Sequence, residues 1–211
     1  MSTDVLFWDR VAEKYARRPV ANEGAYQQTL ERVRHYLRPE DRALELGCGT
    51  ASTAIALSPH VQEIVATDLS QAMIDIGAQK ALAAGVRNLK LRVAEPCSAP
   101  EGPFDVVMGF NLFHLVPDLD RALAAVHARL RPGGLFISKT TCLSDTQSIV
   151  QLGLMRLVIP LMQVIGKAPQ PVHFLAIEPW QARVRQAGFE ILETANYPES
   201  PPNHFIVARR L

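Results

Sequence analysis

The most informative segment of the chain is Ala43-Leu44-Glu45-Leu46-Gly47-Cys48-Gly49-Thr50-Ala51, an apolar run that ends in two closely spaced glycines. A helix is predicted to begin just after it, near Ser52. Gly47 and Gly49 carry no side chain, so a ligand can approach the backbone there, and the first amides of the following helix are free to donate hydrogen bonds. The strand, turn and helix therefore predict a site for a carboxylate or a phosphate.

Two acidic residues, one within this segment and one after the next apolar run, indicate which kind of ligand binds. Asp68 ends the next apolar run, nineteen residues after Gly49, where an acidic side chain can accept hydrogen bonds from both ribose hydroxyls of a nucleoside. Glu45 lies inside an apolar strand, where an unpaired carboxylate would be costly, so it should lie near an ammonium group or a backbone donor. We therefore expect a ligand that contains adenosine or a close relative.

The rest of the chain alternates short apolar runs with amphipathic segments, a pattern typical of a parallel sheet with helical crossovers. Near the C-terminus two runs are too closely spaced for a helical crossover, which predicts an antiparallel hairpin. The predicted strands are Arg42–Leu46, Glu63–Thr67, Leu89–Ala94, Phe104–Gly109, Leu135–Thr140, Phe189–Tyr197 and His204–Arg210. The predicted helices include Asp4–Ala16, Ala25–Leu37, one capped by Ser70, one that Asp118 opens, and Glu178–Gln186. The fold class is thus α/β, with a Rossmann-like, seven-stranded, mostly parallel sheet and helices on both faces.

We expect a single domain, because no repeat or low-complexity tract divides the 211 residues. Its predicted parts are an N-terminal helical cap (1–40), a cofactor-binding core (41–141), a helical insertion (142–177) and a C-terminal helix with the hairpin (178–211).

The amino-acid composition indicates which classes of partner and which cellular compartment to expect. The chain has 22 Lys and Arg against 21 Asp and Glu, a net charge of +1, and 48% hydrophobic residues, which makes nucleic acid an unexpected partner and predicts a folded domain. Three cysteines lie far apart without a Cys-x-x-Cys spacing, which predicts a reducing compartment and no zinc site. The first ten residues do not resemble a signal peptide. We expect a cytoplasmic protein without stable membrane insertion.

Several of these motifs together resemble the class I S-adenosylmethionine-dependent methyltransferases, in particular the group that modifies small molecules. The resemblance covers nearly the whole chain. It is carried by Leu44-Glu45-Leu46-Gly47-Cys48-Gly49-Thr50, Thr67-Asp68-Leu69-Ser70 with Met73, Phe104-Asp105-Val106-Val107, Asn111-Leu112-Phe113-His114, Leu130-Arg131-Pro132-Gly133-Gly134 and Phe7-Trp8-Asp9-Arg10-Val11-Ala12-Glu13-Lys14-Tyr15.

The resemblance implies methyl transfer from S-adenosylmethionine to a small acceptor. It implies that the glycine turn faces the methionine moiety, that Asp68 binds ribose and that Glu95 meets the adenine amino group. The expected cofactor-binding residues are Tyr15, Glu45, Gly47, Cys48, Gly49, Asp68, Leu69, Met73, Glu95 and Asn111. Two positions depart from the family pattern: Ala51 replaces a frequent glycine, and Glu95 a frequent aspartate.

Other functions stay open at this stage. A dinucleotide-dependent oxidoreductase typically carries the motif Gly-x-Gly-x-x-Gly. In this chain Ser52 occupies the position of the third glycine. A protein that binds S-adenosylmethionine or its demethylated product without catalysis, as a regulator or assembly partner, would carry the same motifs. A monomer and a homodimer are both compatible with the sequence.

His114 is the candidate general base, because it follows the fourth strand at the edge where open α/β sheets bind ligands. A structural role for His114 is the alternative. Lys139, Thr140 and Thr141 end the fifth strand and either face the acceptor or are ordinary polar residues at a strand end. Trp8 and Tyr15 are expected to belong to a lid that orders when the cofactor binds.

The insertion after the fifth strand contains an apolar segment, Ser148–Gly166. Arg156 and Pro160 argue against a membrane span. A core helix, a dimer contact and a lid over a lipophilic acceptor remain as interpretations. The lid interpretation predicts an acceptor pocket enclosed by Phe113, His114, Met155 and Leu157 or their near neighbours.

Overall fold

The computed structural model describes residues 3–146 and 148–211, without the side chains of Thr3 and Ile149. Its centre is a seven-stranded sheet with the strand order β3-β2-β1-β4-β5-β7-β6. The strands are β1 Arg42–Leu46, β2 Glu63–Asp68, β3 Leu89–Val93, β4 Phe104–Phe110, β5 Leu130–Thr141, β6 Phe189–Asn196 and β7 Asn203–Arg210. The first five strands pair in parallel, whereas β7 is antiparallel to both β5 and β6. The predicted fold class, including the hairpin, is confirmed.

Seven α-helices are formed by the described residues. They are α1 Thr3–Arg17, α2 Glu23–Tyr36, α3 Ser52–Leu57, α4 Gln71–Ala83, α5 Leu119–Arg129, α6 Ile149–Val164 and α7 Ile177–Gln186. Residues of α5 and α7 share one apolar core with one face of the sheet, and residues of α2, α3 and α4 share another with the opposite face. The sheet is therefore covered by helices on both faces.

Capping residues set the starts of the crossover helices where the sequence predicts them. The Ser70 hydroxyl accepts a hydrogen bond from the amide of Met73, and the Asp118 carboxylate accepts one from the amide of Arg121. At the other end of α4, Gly85 adopts a φ of +67°, the left-handed conformation that closes many helices.

The strand β5 begins earlier than expected. Leu130 already pairs with Phe104, and a register shift between Phe104 and Val106 accommodates the turn at 131–134 before regular pairing starts at Leu135. The sequence marks this turn by Pro132 and two glycines, but it does not show that the residue before the turn pairs with β4. The predicted start of β5 is therefore wrong by five residues.

The strand order places a ligand site before any side chain is considered. The chain moves outward from β1 through β2 to β3, then returns to the other side of β1 with β4. At such a reversal the two crossovers leave on opposite faces, which opens a crevice at the carboxyl ends of the strands. The glycine turn after β1 lies at this crevice.

The helix α6 differs from the other helices because much of its apolar surface faces solvent. Val150, Leu157 and Val164 are 83%, 76% and 82% exposed. No helix in the described part of the chain combines the length and the apolar character that crossing a bilayer requires.

Candidate functional site

A cavity of about 340 Å³ lies at the carboxyl ends of the first five strands. This volume is within the range of small-molecule sites in proteins. Its floor comes from the strand ends and its roof from α1 and the segment after α6. The lining residues are Asp4, Trp8, Tyr15, Gly47, Gly49, Asp68, Leu69, Met73, Ala94, Pro96, Phe110, Asn111, Leu112, His114, Leu115, Val116, Thr141, Pro169 and Gln170.

The glycine turn after β1 forms one wall of the cavity in a backbone conformation that side chains rarely adopt. Gly47 and Gly49 have φ values of +62° and +53°. A Cβ atom on Gly49 would lie 3.6 Å from a ring carbon of Tyr15, which therefore covers the turn directly. Trp8 stands edge-on to that ring, with 6.5 Å between the ring centroids. Both aromatic residues line the cavity, as the resemblance implies for Tyr15.

Asp68 connects the ends of β1 and β2. One carboxylate oxygen accepts a hydrogen bond from the Gly49 amide at 2.8 Å, and the other accepts one from the Ser70 amide at 3.0 Å. A carboxylate oxygen can accept more than one hydrogen bond, so the cavity side of Asp68 keeps acceptor capacity. Burial raises the pKa of Asp68, and the backbone donors oppose that rise.

The helix α1 is tied to this wall. The Asp9 carboxylate accepts hydrogen bonds from the Ser70 hydroxyl at 2.6 Å and from the Ala72 amide at 3.2 Å, both at the start of α4. A carboxylate at a helix N-terminus is stabilised by the free amides there. This contact holds Trp8 and Tyr15 above the turn.

Glu45 lies behind the turn and is almost completely buried. One of its carboxylate oxygens has no hydrogen-bond partner among the described residues. Burial, together with the nearby Asp68 carboxylate, raises the pKa of Glu45 to about 8, while the Ala54 amide donates to it. A buried carboxyl group with an unpartnered oxygen and no neighbouring cation fits a place for the ammonium group of a ligand.

Three further predicted residues border the cavity. Leu69 and Met73 follow Asp68 and form an apolar surface beside it. Asn111 directly follows β4 and has a φ of +53°, a left-handed conformation that asparagine tolerates better than most residues. Its amide donates to the Lys139 carbonyl at 2.7 Å, which fixes the loop after β4 to β5.

Glu45, Cys48 and Glu95 are not among the lining residues. The Cys48 amide donates to the Thr67 carbonyl at 2.9 Å, and its side chain packs into the core beneath the turn. The Glu95 side chain is exposed, while its neighbours Ala94 and Pro96 line the cavity. Cofactor contacts by these three residues stay predictions.

Ala51, the departure from the family glycine pattern, points away from the cavity. It adopts a φ of +58° and is fully buried. Its methyl group lies 3.1 Å from where a Cβ atom on Gly77 of α4 would be. The methyl group is thus accommodated by a glycine on the neighbouring helix rather than by the ligand space.

His114 lines the cavity near the end of β4, as predicted. Burial, together with the nearby His173, lowers its pKa to about 4. Its Nδ1 atom is buried and has no hydrogen-bond partner among the described residues. The ring is therefore neutral at physiological pH and available to a ligand group.

At the end of β5 only Thr141 reaches the cavity. Lys139 instead donates a hydrogen bond to the Thr29 hydroxyl at 3.0 Å, and burial lowers its pKa to about 8. Thr140 is buried within the sheet.

The predicted acceptor pocket agrees with the structure at His114 and its near neighbours Leu115 and Val116, but not at the other residues predicted by name. Phe113 is fully buried and packs against Phe136 and Trp180 in the core, so it cannot line the cavity. Leu157 points to solvent, and Met155 is half-buried outside the lining. Of the four predicted residues, only His114 borders the cavity. The side chain of Ile149, also assigned to the apolar segment, lies outside the described structure.

Sequence reasoning missed the roof that follows α6. Pro169 and Gln170 line the cavity, and the Gln170 amide donates to the Asp4 carboxylate at 3.3 Å. The irregular, proline-containing stretch at 167–171 was the available signal, because loops at strand ends frequently carry binding residues. Leu112 was also missed: its side chain lies against Gly47, where a Cβ atom would come within 2.6 Å of it.

These residues fit S-adenosylmethionine. Asp68 has acceptor capacity for the ribose hydroxyls, the unpartnered Glu45 oxygen suits an ammonium group, and Gly49 leaves a space that a side chain would narrow. The Leu69 and Met73 side chains offer an apolar surface for an adenine ring.

Comparisons with known proteins agree with this geometry. A methyltransferase-domain family model matches residues 44–136. Demethylmenaquinone methyltransferase from Geobacillus kaustophilus is 39% identical over 112 residues, which cover 50% of this chain and 46% of that protein. The uncharacterized methyltransferase YcgJ of Bacillus subtilis is 31% identical over 102 residues, which cover 47% of this chain and 40% of that protein. The matched region thus spans less than half the length of these curated relatives.

A solved structure shares the fold over nearly the whole chain. The S-adenosylmethionine-dependent methyltransferase from Mesorhizobium loti superimposes with a TM-score of 0.68 and 19% identity, covering 89% of this chain and 98% of that one. Residues 44–136 therefore match a methyltransferase domain, and the strand order, the glycine turn and Asp68 agree with the fold of class I S-adenosylmethionine-dependent methyltransferases.

Proposed function

We propose that the chain transfers a methyl group from S-adenosylmethionine to a lipophilic small molecule. The observation that carries the proposal is the wall in which Gly49 and Asp68 are hydrogen-bonded to each other beneath Tyr15, at the strand-order reversal. When bound, S-adenosylmethionine supplies an electrophilic methyl group on its sulfonium.

The residues of the chain act mainly by binding and orientation. Asp68 accepts from the ribose, Glu45 compensates the ammonium charge, and Tyr15 closes the turn against water. Such positioning accounts for much of the acceleration of a reaction between two bound groups. Cys48 and Glu95 are assigned a supporting part, Cys48 by shaping the turn and Glu95 by contacting adenine.

A lipophilic acceptor is supported by the far side of the cavity. Phe110, Leu112, Leu115 and Val116 line it beside His114, so most of the surface there is apolar. The name of the Geobacillus relative points to an acceptor of this class for that protein. We assign the same class, without a named compound, to this chain.

His114 is proposed as the group that receives a proton from the acceptor. Its ring is neutral and its Nδ1 atom is unpartnered, so it can take up a hydrogen bond that is completed only by a bound molecule. With a pKa of about 4 it is a weak base in the free protein, and negative charge developing on the acceptor would strengthen it.

The remaining parts of the proposal concern partners and location. The near-zero net charge supports a small-molecule acceptor over nucleic acid. We propose a monomer or homodimer that acts in the cytoplasm.

A labelling experiment tests the function. Purified protein is incubated with methyl-labelled S-adenosylmethionine and a lipid extract of cells, and the products are analysed by mass spectrometry. Label is expected in a lipid-soluble compound with the wild-type protein and not with Asp68→Asn. Binding of S-adenosylhomocysteine without any labelled product in lipid or aqueous extracts would instead establish a non-catalytic binding protein.

The pH dependence tests the assignment of His114. Because its pKa is lowered to about 4, the ring stays neutral as the pH falls from 8 to about 6, and kcat should decrease only as the pH approaches 4. His114→Ala should lower kcat by about 10²-fold or more if the acceptor must lose a proton. His35→Ala, an exposed histidine on α2, is the control and should leave kcat unchanged. Loss of wild-type kcat around pH 6.5 would contradict the assignment.

A further inference from the structure

The outer face of α6 is an apolar stripe that is exposed to solvent. Its members recur at the spacing of one helix face and are between 38% and 83% exposed. They are Val150, Leu154, Leu157, Val158, Leu161, Val164 and Ile165. The opposite face is apolar as well, with Met155, Ile159 and Met162 half-buried against the protein. A helix that is apolar on all sides is normally buried, so we expect this outer stripe to bind a partner surface.

Cationic side chains surround the end of the stripe. A cleft of about 820 Å³ lies between α1 and the end of α6. Its charged lining residues are all basic: Arg10, Lys14, Arg18 and Lys167. The stripe residue Ile165 lines the same cleft, which makes the apolar and the cationic surfaces continuous.

These cations lack counter-charges within the described chain. Lys14, Arg18 and Lys167 have no ion-pair partner there, and Arg10 donates to the carbonyl of Gly166 rather than to a carboxylate. Four cations in one cleft are a strong local excess in a protein whose net charge is +1.

We propose that the stripe and the cationic cleft dock reversibly onto the surface of an anionic lipid bilayer. The apolar side chains would enter the boundary between headgroups and acyl chains, as interfacial helices do, while the cations meet anionic headgroups. The single charged residue within α6, Arg156, is placed over the Phe174 ring, 5.8 Å from its centroid, and does not interrupt the stripe.

A second copy of the chain fits this surface less well. The stripe carries no carboxylate, so a copy seated on it through the same stripe would bury apolar area but leave the four cations without counter-charge. Anionic headgroups provide both kinds of contact at once. This charge complementarity is the reason to favour the bilayer.

Docking would also bring a membrane next to the catalytic cavity. Trp8, Tyr15 and Pro169 line both the cationic cleft and the cavity. A lipophilic acceptor dissolved in the bilayer would then reach the cavity through the cleft. This consequence rests on the proposed function, whereas the docking itself does not.

Vesicle co-sedimentation of the full chain tests the docking. The protein is mixed with vesicles of phosphatidylcholine alone or of equal parts phosphatidylcholine and phosphatidylglycerol. We expect the protein to bind the anionic vesicles at least about tenfold more tightly than the neutral vesicles. High salt should weaken binding to the anionic vesicles by a similar factor, because it screens the attraction between the cations and the headgroups.

Two sets of variants separate the apolar and the charged contributions. Leu157→Asp with Val164→Asp should weaken vesicle binding about tenfold or more, since each change places a carboxylate against anionic lipid. Leu82→Asp is the matched control, because Leu82 is 83% exposed on α4, and it should bind like the wild type. Lys14→Gln with Lys167→Gln should also lose about tenfold or more and leaves the helix α6 intact.

The outcomes are distinguishable from failure of the proposed function. Vesicle binding needs no turnover, and S-adenosylhomocysteine affinity reports separately on the cofactor site and on folding of each variant. Equal binding to neutral and anionic vesicles, or no binding to either, overturns the proposal. A wild-type dimer that becomes monomeric in the Leu157→Asp, Val164→Asp variant, without vesicle binding, would assign the stripe to a second copy instead.

Discussion

The glycine turn with Asp68 lines the cavity, whereas the end of α6 lines the neighbouring cleft, and the two regions are held by different kinds of contact. At the turn, both carboxylate oxygens of Asp68 bind backbone amides, and Asp9 fixes α1 to the same place. Along α6 the outward side chains contact solvent, and the attachment to α1 is made by Arg10 and the Gly166 carbonyl at its end. The first region is therefore preorganised by buried polar contacts, and the second is free to adapt to what covers it.

Replacing the Asp68 carboxylate should produce the largest effect on the first region. In Asp68→Asn the amide NH₂ would face the Gly49 or the Ser70 amide, and charge-assisted hydrogen bonds to ribose would be lost. Such bonds contribute roughly 1.5–3 kcal/mol each, so calorimetry should show S-adenosylhomocysteine affinity reduced by about a hundredfold or more. Asp75→Asn, an exposed carboxylate on α4, is the control. Equal affinities for both variants would remove Asp68 from the site.

A paired glycine substitution separates backbone strain from ligand space. Gly49→Ala and Gly85→Ala both place a methyl group at a positive φ, at a cost of about 1–2 kcal/mol. Only Gly49 faces a neighbour, the Tyr15 ring, whereas nothing lies within 4 Å of a Cβ atom on Gly85. Both variants should unfold at lower denaturant concentration, but only Gly49→Ala should also lose affinity for S-adenosylhomocysteine, by about tenfold. A similar loss in both would mean that strain alone explains the effect.

The raised pKa of Glu45 predicts a proton coupled to binding. The pKa is about 8 in the folded chain against an ordinary 4.5. The protonated carboxyl therefore stabilises the ligand-free fold fully below about pH 4.5, and this stability is lost as the pH rises through about 8. An ammonium group beside Glu45 favours the ionised form, so binding of S-adenosylhomocysteine at pH 7 should release close to one proton.

Calorimetry in buffers of different ionisation enthalpy measures that proton. Glu45→Gln should abolish its release, while Glu13→Gln, an exposed residue on α1, should not change it. If the Gln variant at position 45 released as much as the wild type, the proton would come from another group.

The smallest effect is expected from the outer face of α6. Leu157→Ser should change the free energy of unfolding by less than about 0.5 kcal/mol, because the side chain is already exposed. The same change at Leu57, which is fully buried on α3, should cost about 2–5 kcal/mol or more. Urea unfolding of the two variants compares the regions directly. A large loss for Leu157→Ser would show that its face is covered in the free protein.

The difference between the glycine turn and α6 also explains which parts of the site the sequence predicts well. Gly47, Gly49 and Asp68 act through backbone conformation and strand ends, which are local properties with a fixed spacing along the chain. Their positions at the cavity therefore follow from the sequence. The orientation of Phe113 does not, because whether it faces the core or the cavity depends on the ring stack with Phe136 and Trp180, which come from distant segments.

The α6 segment shows a second limit. Its apolar pattern correctly predicts a helix, but it does not reveal which face the protein covers, since both faces are apolar. The roof contact between Gln170 and Asp4 joins residues 166 positions apart and depends on an irregular loop. Such contacts have no periodic pattern that sequence reasoning can use.

A crystal structure of the chain grown with S-adenosylhomocysteine would locate the cofactor site. We expect the ligand in the cavity under Tyr15, with its ribose hydroxyls in hydrogen-bond distance of the Asp68 carboxylate and its ammonium group on the Glu45 side of the glycine turn. A ligand bound elsewhere, or a ribose that makes no contact with Asp68, would contradict this expectation.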